Sequence, residues 1–221
     1  MISRQLITSS ISALKISESG SNALFIMDEN RISHLPVVDN SEYIGLISET
    51  DIYNMADPDL PIADQHLTLK KHYVNQQQHI FDVIRIMSSS KITVLPVLDE
   101  KNQYLGCITV NNLIEYFGNF AAINNPGGII VLELNQNDYV LSQIAQIVES
   151  QDAKILSLFV TSDMESTKMD VTMKVSKMEL QPLIQTLNRY NYVIKATYTE
   201  DEDMFEDLRD RYDSLMNFLN I

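Results

Sequence analysis

Apolar residues in the first half of the chain follow one order of periodicities twice. Ala23, Leu24 and Met27 recur at helical spacing; a run containing proline follows (LPVVD, Leu35 to Asp39), then a polar turn and a second apolar run ending at Ser48. Val83, Ile84 and Met87, then LPVLD at Leu95 to Asp99, then a run ending at Thr109 repeat that order. Steps of three and four read as helix and short apolar runs as strand, so each copy predicts helix, strand, turn, strand. A further helix is predicted at Asp51 to Met55 and again at Asn112 to Phe117. Sliding the chain by sixty positions matches Ile32 with Ile92, Pro36 with Pro96 and Asp39 with Asp99; after one inserted residue Tyr43, Gly45 and Ile47 fall on Tyr104, Gly106 and Ile108. An echo of this length at fixed offset implies two copies of one supersecondary unit, each too small to bury both faces of its strands alone.

The second half has a different pattern. The cluster of Asn, Pro and Gly at Asn124 to Gly128 marks a boundary. Beyond it, strands are predicted at Ile129 to Leu134, Lys154 to Val160, Met169 to Val175 and Tyr192 to Tyr198, with helices at Tyr139 to Val148 and Leu180 to Tyr190. The order β, α, β, β, α, β is the ferredoxin-like arrangement. In the tail, Phe205, Leu208, Tyr212, Leu215 and Leu219 form one apolar stripe behind an acidic start, which predicts an amphipathic helix docked on its own protein or on a partner subunit.

Composition narrows the function classes. The formal net charge of −14, from 16 basic and 30 acidic residues, argues against a nucleic-acid or anionic-membrane surface, which needs clustered Lys and Arg. One or two local cations still suffice for a small phosphorylated ligand. The single cysteine, Cys107, lies in an apolar strand and reads as a core residue in a reducing compartment. The start, MISRQLITSSISALK, lacks the apolar core of a signal peptide, so the expected location is cytoplasmic. The spacing of His66, His72 and His79 fits no common zinc pattern, and His34 sits in a strand, so no metal site is expected. Neither a Gly-rich phosphate loop nor a nucleophile elbow appears, and no catalytic residue is expected.

The duplicated stretch, LPVVD or LPVLD followed by glycine, a hydrophobic residue, any residue, then Ser or Thr, resembles the CBS domain. Two in tandem resemble the CBS pair, or Bateman module, and the broad group resembled includes proteins named for acetoin utilisation. The resemblance implies a flat, pseudo-symmetric module at residues 1–121, with repeats at about 1–58 and 62–121, whose clefts hold an adenine nucleotide (AMP, ADP or ATP) or a related adenosyl compound. It implies a nucleotide site at Arg31, Ser48 and Asp51: Arg31 at the start of the strand can reach phosphate, the Ser48 hydroxyl can donate to it, and the Asp51 carboxylate can accept from both ribose hydroxyls. Asp51 also suits an N-terminal helix cap. The second cleft implied, at Lys91, Thr109 and Asn112, departs from the pattern at Asn112, an amide with one acceptor oxygen and no charge, and is expected to be weaker or empty. Ile11 to Leu14 is a candidate wall for the adenine.

After a linker at 122–127, residues 128–199 resemble the ACT domain in element order and in the LSQI run at Leu141 to Ile144, and 200–221 is the tail helix. ACT domains often carry Pro-Gly in the loop before their first helix, but this loop reads NQNDY, from Asn135 to Tyr139, so dimerisation is expected of this half more than amino-acid binding. The expected function is a ligand-sensing regulatory homodimer acting on an unidentified regulated protein, with no nucleic acid or membrane partner. A ligand-free dimerisation or protein-interaction module is the alternative.

Overall fold

A computed structural model describes residues 1–65, 67–120, 122–162 and 166–199, in two compact units, Met1–Phe117 and Gly118–Ile221. His66 and the tail stripe from Phe205 to Leu219 lie outside the described residues.

The first unit contains the two repeats. The first runs β1 (Leu14–Lys15), α1 (Gly20–Asn30), β2 (His34–Asp39), β3 (Glu42–Ser48) and α2 (Glu49–Tyr53). The second runs β4 (Val74–Asn75), α3 (Ile80–Ser90), β5 (Val94–Leu98), β6 (Tyr104–Thr109) and α4 (Val110–Phe120). Each forms a three-stranded sheet whose central strand, β2 or β5, pairs parallel with the short strand before it and antiparallel with the one after. Leu35 to Val38 and Val94 to Leu98 are buried without alternation. Strands covered on both faces read as continuous apolar runs, which is how LPVV and LPVL read.

The repeats are clasped together by the segments that precede them. Thr8 bridges to Cys107 in β6, its N–H donating to the Cys107 carbonyl at 2.9 Å, and the Leu46 N–H in β3 donates to the Lys70 carbonyl at 2.9 Å. The first leading segment therefore packs on the second repeat, and the second on the first. Glycine permits both approaches. A Cβ on Gly45 would lie 2.5 Å from the Leu69 Cβ, and one on Gly106, where φ is +148°, would collide with Ile7. The cores interlock likewise: Leu14, Met27, Leu35 and Ile47 cluster with Val94 and Cys107, while Ile80, Leu95 and Ile108 cluster with Leu6 and Leu46. Reciprocal pairing of this kind marks a twofold relation between equivalent surfaces.

The second unit runs β7 (Gly128–Asn135), α5 (Leu141–Glu149), β8 (Ile155–Ser162), β9 (Lys168–Val175), α6 (Gln181–Arg189) and β10 (Val193–Tyr198). Its antiparallel sheet has the order β10, β7, β9, β8, the ferredoxin-like topology expected from the element order. Burial alternates cleanly along β7 and β9, and Ile130, Leu132, Val171 and Met173 face Ile144, Ile147, Leu183 and Leu187 of the two helices. The Asn135 to Tyr139 loop contains a short 3-10 turn, Gln136–Asp138, and the Asn135 amide donates to Asp138 at 2.9 Å.

Candidate functional site

Helix α1 is capped at its start by Ser19, whose hydroxyl accepts from the Asn22 N–H at 3.2 Å, and it stops at Arg31. Arg31 adopts the left-handed conformation (φ 53°, ψ 47°), and its N–H returns to the Met27 and Asp28 carbonyls. Lys91 ends α3 in the same way, at φ 53°. Glycine usually holds this position, because a Cβ disfavours the left-handed region. Arg31 therefore precedes β2, which begins at His34, by one helix cap instead of opening the strand. Both caps thus carry a long cationic side chain. Both are exposed, and neither makes an ion pair among the described residues.

Beside Arg31 lies a cavity of about 350 Å³, lined also by Ser10, Ile11, Asn30, Thr93, Thr109 and Asn112. Arg31 is thus grouped with Thr109 and Asn112 of the second repeat, and not with Ser48 and Asp51 as the sequence expectation had it. The physical reason is the twofold relation: a cleft takes its helix cap from one repeat and its strand-to-helix junction from the other. Ile11, an expected wall, lines the cavity; Leu14, at the other end of the same stretch, is fully buried in the core. Thr93, Asn30 and Ser10 were not anticipated. The sixty-residue offset carried a signal for Thr93, since it matches another hydroxyl, Ser33, on the same side of the repeat.

Ser48 and Asp51 form a reciprocal cap on α2. Asp51 Oδ2 accepts from the Ser48 hydroxyl at 2.6 Å and from its N–H at 2.9 Å, and Ser48 Oγ accepts from the Asp51 N–H at 3.2 Å. Both cap bonds fall on Oδ2. Thr109 and Asn112 repeat the motif on α4: the Thr109 hydroxyl donates to Asn112 Oδ1 at 2.6 Å and its oxygen accepts from the Asn112 N–H at 3.1 Å. Thr109 is buried at 6% exposure, whereas Ser48 is half-buried.

Between the junctions the repeats touch through hydroxyl and imidazole groups. The Ser33 N–H donates to Thr93 Oγ1 at 3.0 Å; His34 Nδ1 lies 3.2 Å from Thr93 Oγ1 and accepts from the Thr93 N–H at 3.4 Å. With the Thr93 N–H directed at Nδ1, the neutral imidazole carries its proton on Nε2. Burial pushes His34 below its ordinary value of 6.5; Asp51 and then Glu49 pull it up, while His72 and Lys70 reinforce the lowering. Ser90, next to Lys91, makes a 3.5 Å contact with His72, which like Asp51 acts on His34. Burial pushes the Cys107 thiol up to about 11, against a smaller lowering by Tyr104, as befits a core residue. Among the described residues no three His, Cys, Asp or Glu side chains gather as a metal-ion site, and no helix is long and apolar enough to cross a membrane.

Residues 3–57 and 57–119 each match the CBS domain. Among curated proteins, the chain is similar to homoserine O-acetyltransferase of Methanosalsum zhilinae, 32% identical over 99 residues covering 44% of this chain and 20% of that protein. It is also similar to inosine-5'-monophosphate dehydrogenase of Methanocaldococcus jannaschii, 26% identical over 97 residues covering 42% of this chain and 19% of that one. The chain therefore spans about a fifth of these relatives' length. Among solved structures, a CBS domain pair/ACT domain protein from Thermotoga maritima is 18% identical, with a TM-score of 0.47, over 53% of this chain and 96% of that one.

Proposed function

The chain belongs to the CBS domain family as a tandem pair, and on that premise we propose that it is a ligand-sensing regulatory protein whose pair binds an adenine-containing nucleotide beside Arg31. One observation carries this reading: a guanidinium without an ion-pair partner among the described residues borders a cavity of about 350 Å³ that also holds the apolar Ile11 and the hydroxyl of Thr93. That volume lies within the ordinary range for small-molecule sites, and an uncommitted guanidinium fork matches phosphate oxygens. Ser48, Asp51 and Lys91 belong to the companion cleft, where the carboxylates of Glu49 and Asp51 disfavour an anion. Ligand occupancy acts by favouring one alignment of the two repeats over another, because the cavity is built from both. The ferredoxin-like topology of the second unit supports an ACT-like module, to which we assign homodimerisation. We place the protein in the cytoplasm and assign it a regulatory and not a catalytic role.

The test is calorimetric titration with AMP, ADP and ATP. Arg31→Ala should weaken binding about tenfold or more, as expected for a lost charge-assisted hydrogen bond, whereas Lys91→Ala should change it by less than about twofold because it borders the companion cleft. Equal effects of the two variants would overturn the assignment. A ligand-free interaction module is the second reading, favoured because helix capping alone explains Ser48 and Asp51. Absence of binding by any nucleotide, with self-association retained, would establish it.

A further inference from the structure

The two strand-to-helix junctions are the same motif with different leftover hydrogen-bonding capacity, and that difference fixes what the Arg31 cavity can recognise. At Asp51, both cap bonds go to Oδ2, so Oδ1 is left as an anionic acceptor. At Asn112, the single side-chain oxygen, Oδ1, already takes the Thr109 hydroxyl, so the amide keeps its Nδ2–H donors and one uncharged lone pair, too little to accept from both hydroxyls of a diol. None of the residues lining the Arg31 cavity is a carboxylate. A ribose diol is held best by a carboxylate accepting from both hydroxyls, and the cavity lacks one. Its cation and its spare amide donors both favour ligand oxygens that accept.

Resting on the nucleotide reading, we propose that Asn112 is a specificity-determining residue that makes the Arg31 cavity a site for nucleoside phosphates irrespective of the ribose 2′-hydroxyl. Phosphate contact through Arg31 supplies the affinity. The sugar is not read, and ribo- and deoxyribonucleotides enter alike.

The experiment compares AMP with 2′-deoxy-AMP by calorimetry on the full chain and on its Asn112→Asp, Asp51→Asn and Arg31→Ala variants. The unmodified protein should bind the two within about threefold, since a neutral amide–hydroxyl hydrogen bond replaces bonds to water on both partners and nets little. In Asn112→Asp, one carboxylate oxygen can cap α4 as Asp51 Oδ2 caps α2 and the other is free, so the preference for AMP should rise to about tenfold or more. The ratio removes the general weakening that a new negative charge beside Arg31 brings to both ligands. Asp51→Asn should leave the ratio unchanged, and Arg31→Ala should weaken both ligands together, which ties the signal to this cavity. A tenfold preference for AMP in the unmodified protein, or parity retained in a folded Asn112→Asp, would overturn the inference while leaving the nucleotide reading intact. Binding unaffected by Arg31→Ala would overturn the placement in this cavity. Failure of the unmodified protein to bind either ligand would overturn the nucleotide reading and the inference together.

Discussion

The two repeats share a backbone plan but not a chemistry. Around the junction of the first stand Glu49, Asp51, His34, His72 and Lys70, a mixture of both signs centred on a half-buried imidazole. Around the junction of the second stand Thr93, Asn111 and Asn112, neutral side chains, with Arg31 as the charge. Duplication preserved what folding requires, namely the proline strand, the glycine and the hydroxyl cap. It left the groups that meet solvent and ligand free to diverge. A shared motif is therefore a guide to architecture first, and only the capacity left after capping is a guide to binding.

Two substitution pairs set one repeat against the other. Gly106→Val should cost about 3 kcal/mol or more, because it combines a left-handed φ with a collision at Ile7. Gly45→Val meets Leu69 without that backbone strain and should cost about 1 to 3 kcal/mol. Urea unfolding midpoints measure both, and equal losses would show that crowding alone matters. Next, Thr109→Ala and Ser48→Ala should each cost about 1 kcal/mol as lost caps. Thr109→Ala should be the larger, since Asp51 keeps its bond to the Ser48 N–H when the Ser48 hydroxyl is gone, whereas both bonds between Thr109 and Asn112 run through the Thr109 hydroxyl. A reversed order in denaturant melts would break the comparison.

The smallest effect concerns acidity. His34 is held below 6.5 by burial, so the folded state binds its proton less readily than the unfolded chain. Its contribution is present above pH 6.5 and is lost as pH falls through that value towards the lower folded one. Protonation at Nδ1 also removes the acceptor for the Thr93 N–H. His34→Gln should flatten the decline in melting temperature between pH 7.5 and 5.5, a window bracketing the ordinary histidine value. A decline of undiminished slope in that variant would assign the acid sensitivity elsewhere.

Local patterns made most of the architecture legible before any coordinates. Unalternating LPVV and LPVL announced central strands, and the apolar steps of Val83 and Met87 announced α3. Met169 to Val175 announced its strand by alternation. The partnerships across the repeats were not legible, because pairing of Arg31 with Asn112, or of Thr8 with Cys107, is a nonlocal outcome with no local spacing. Arg31 itself was misplaced for a local reason. Arginine is not the residue that usually marks a left-handed helix stop, so it read as the first residue of a strand. His34 read as a strand residue, which it is, but nothing in its neighbours told of Thr93 on the other repeat. A capping role was visible for Asp51 but not for Ser48, and the bond that occupies one lone pair of the Asn112 oxygen depends on the approach of the Thr109 hydroxyl, which only the folded geometry brings about.

The clasp of Thr8 on Cys107 has a consequence in time. During synthesis the leading segment emerges first, but the strand it pairs with is made about a hundred residues later, which at about 5 to 20 residues per second is a delay of about 5 to 20 s. The first repeat, by contrast, needs only Lys70 to receive its strap. Throughout that interval the cluster that Leu6 and Ile7 join lacks Ile108. The nascent chain thus carries a short apolar leader in waiting, and the second repeat, not the first, completes the assembly by capturing it.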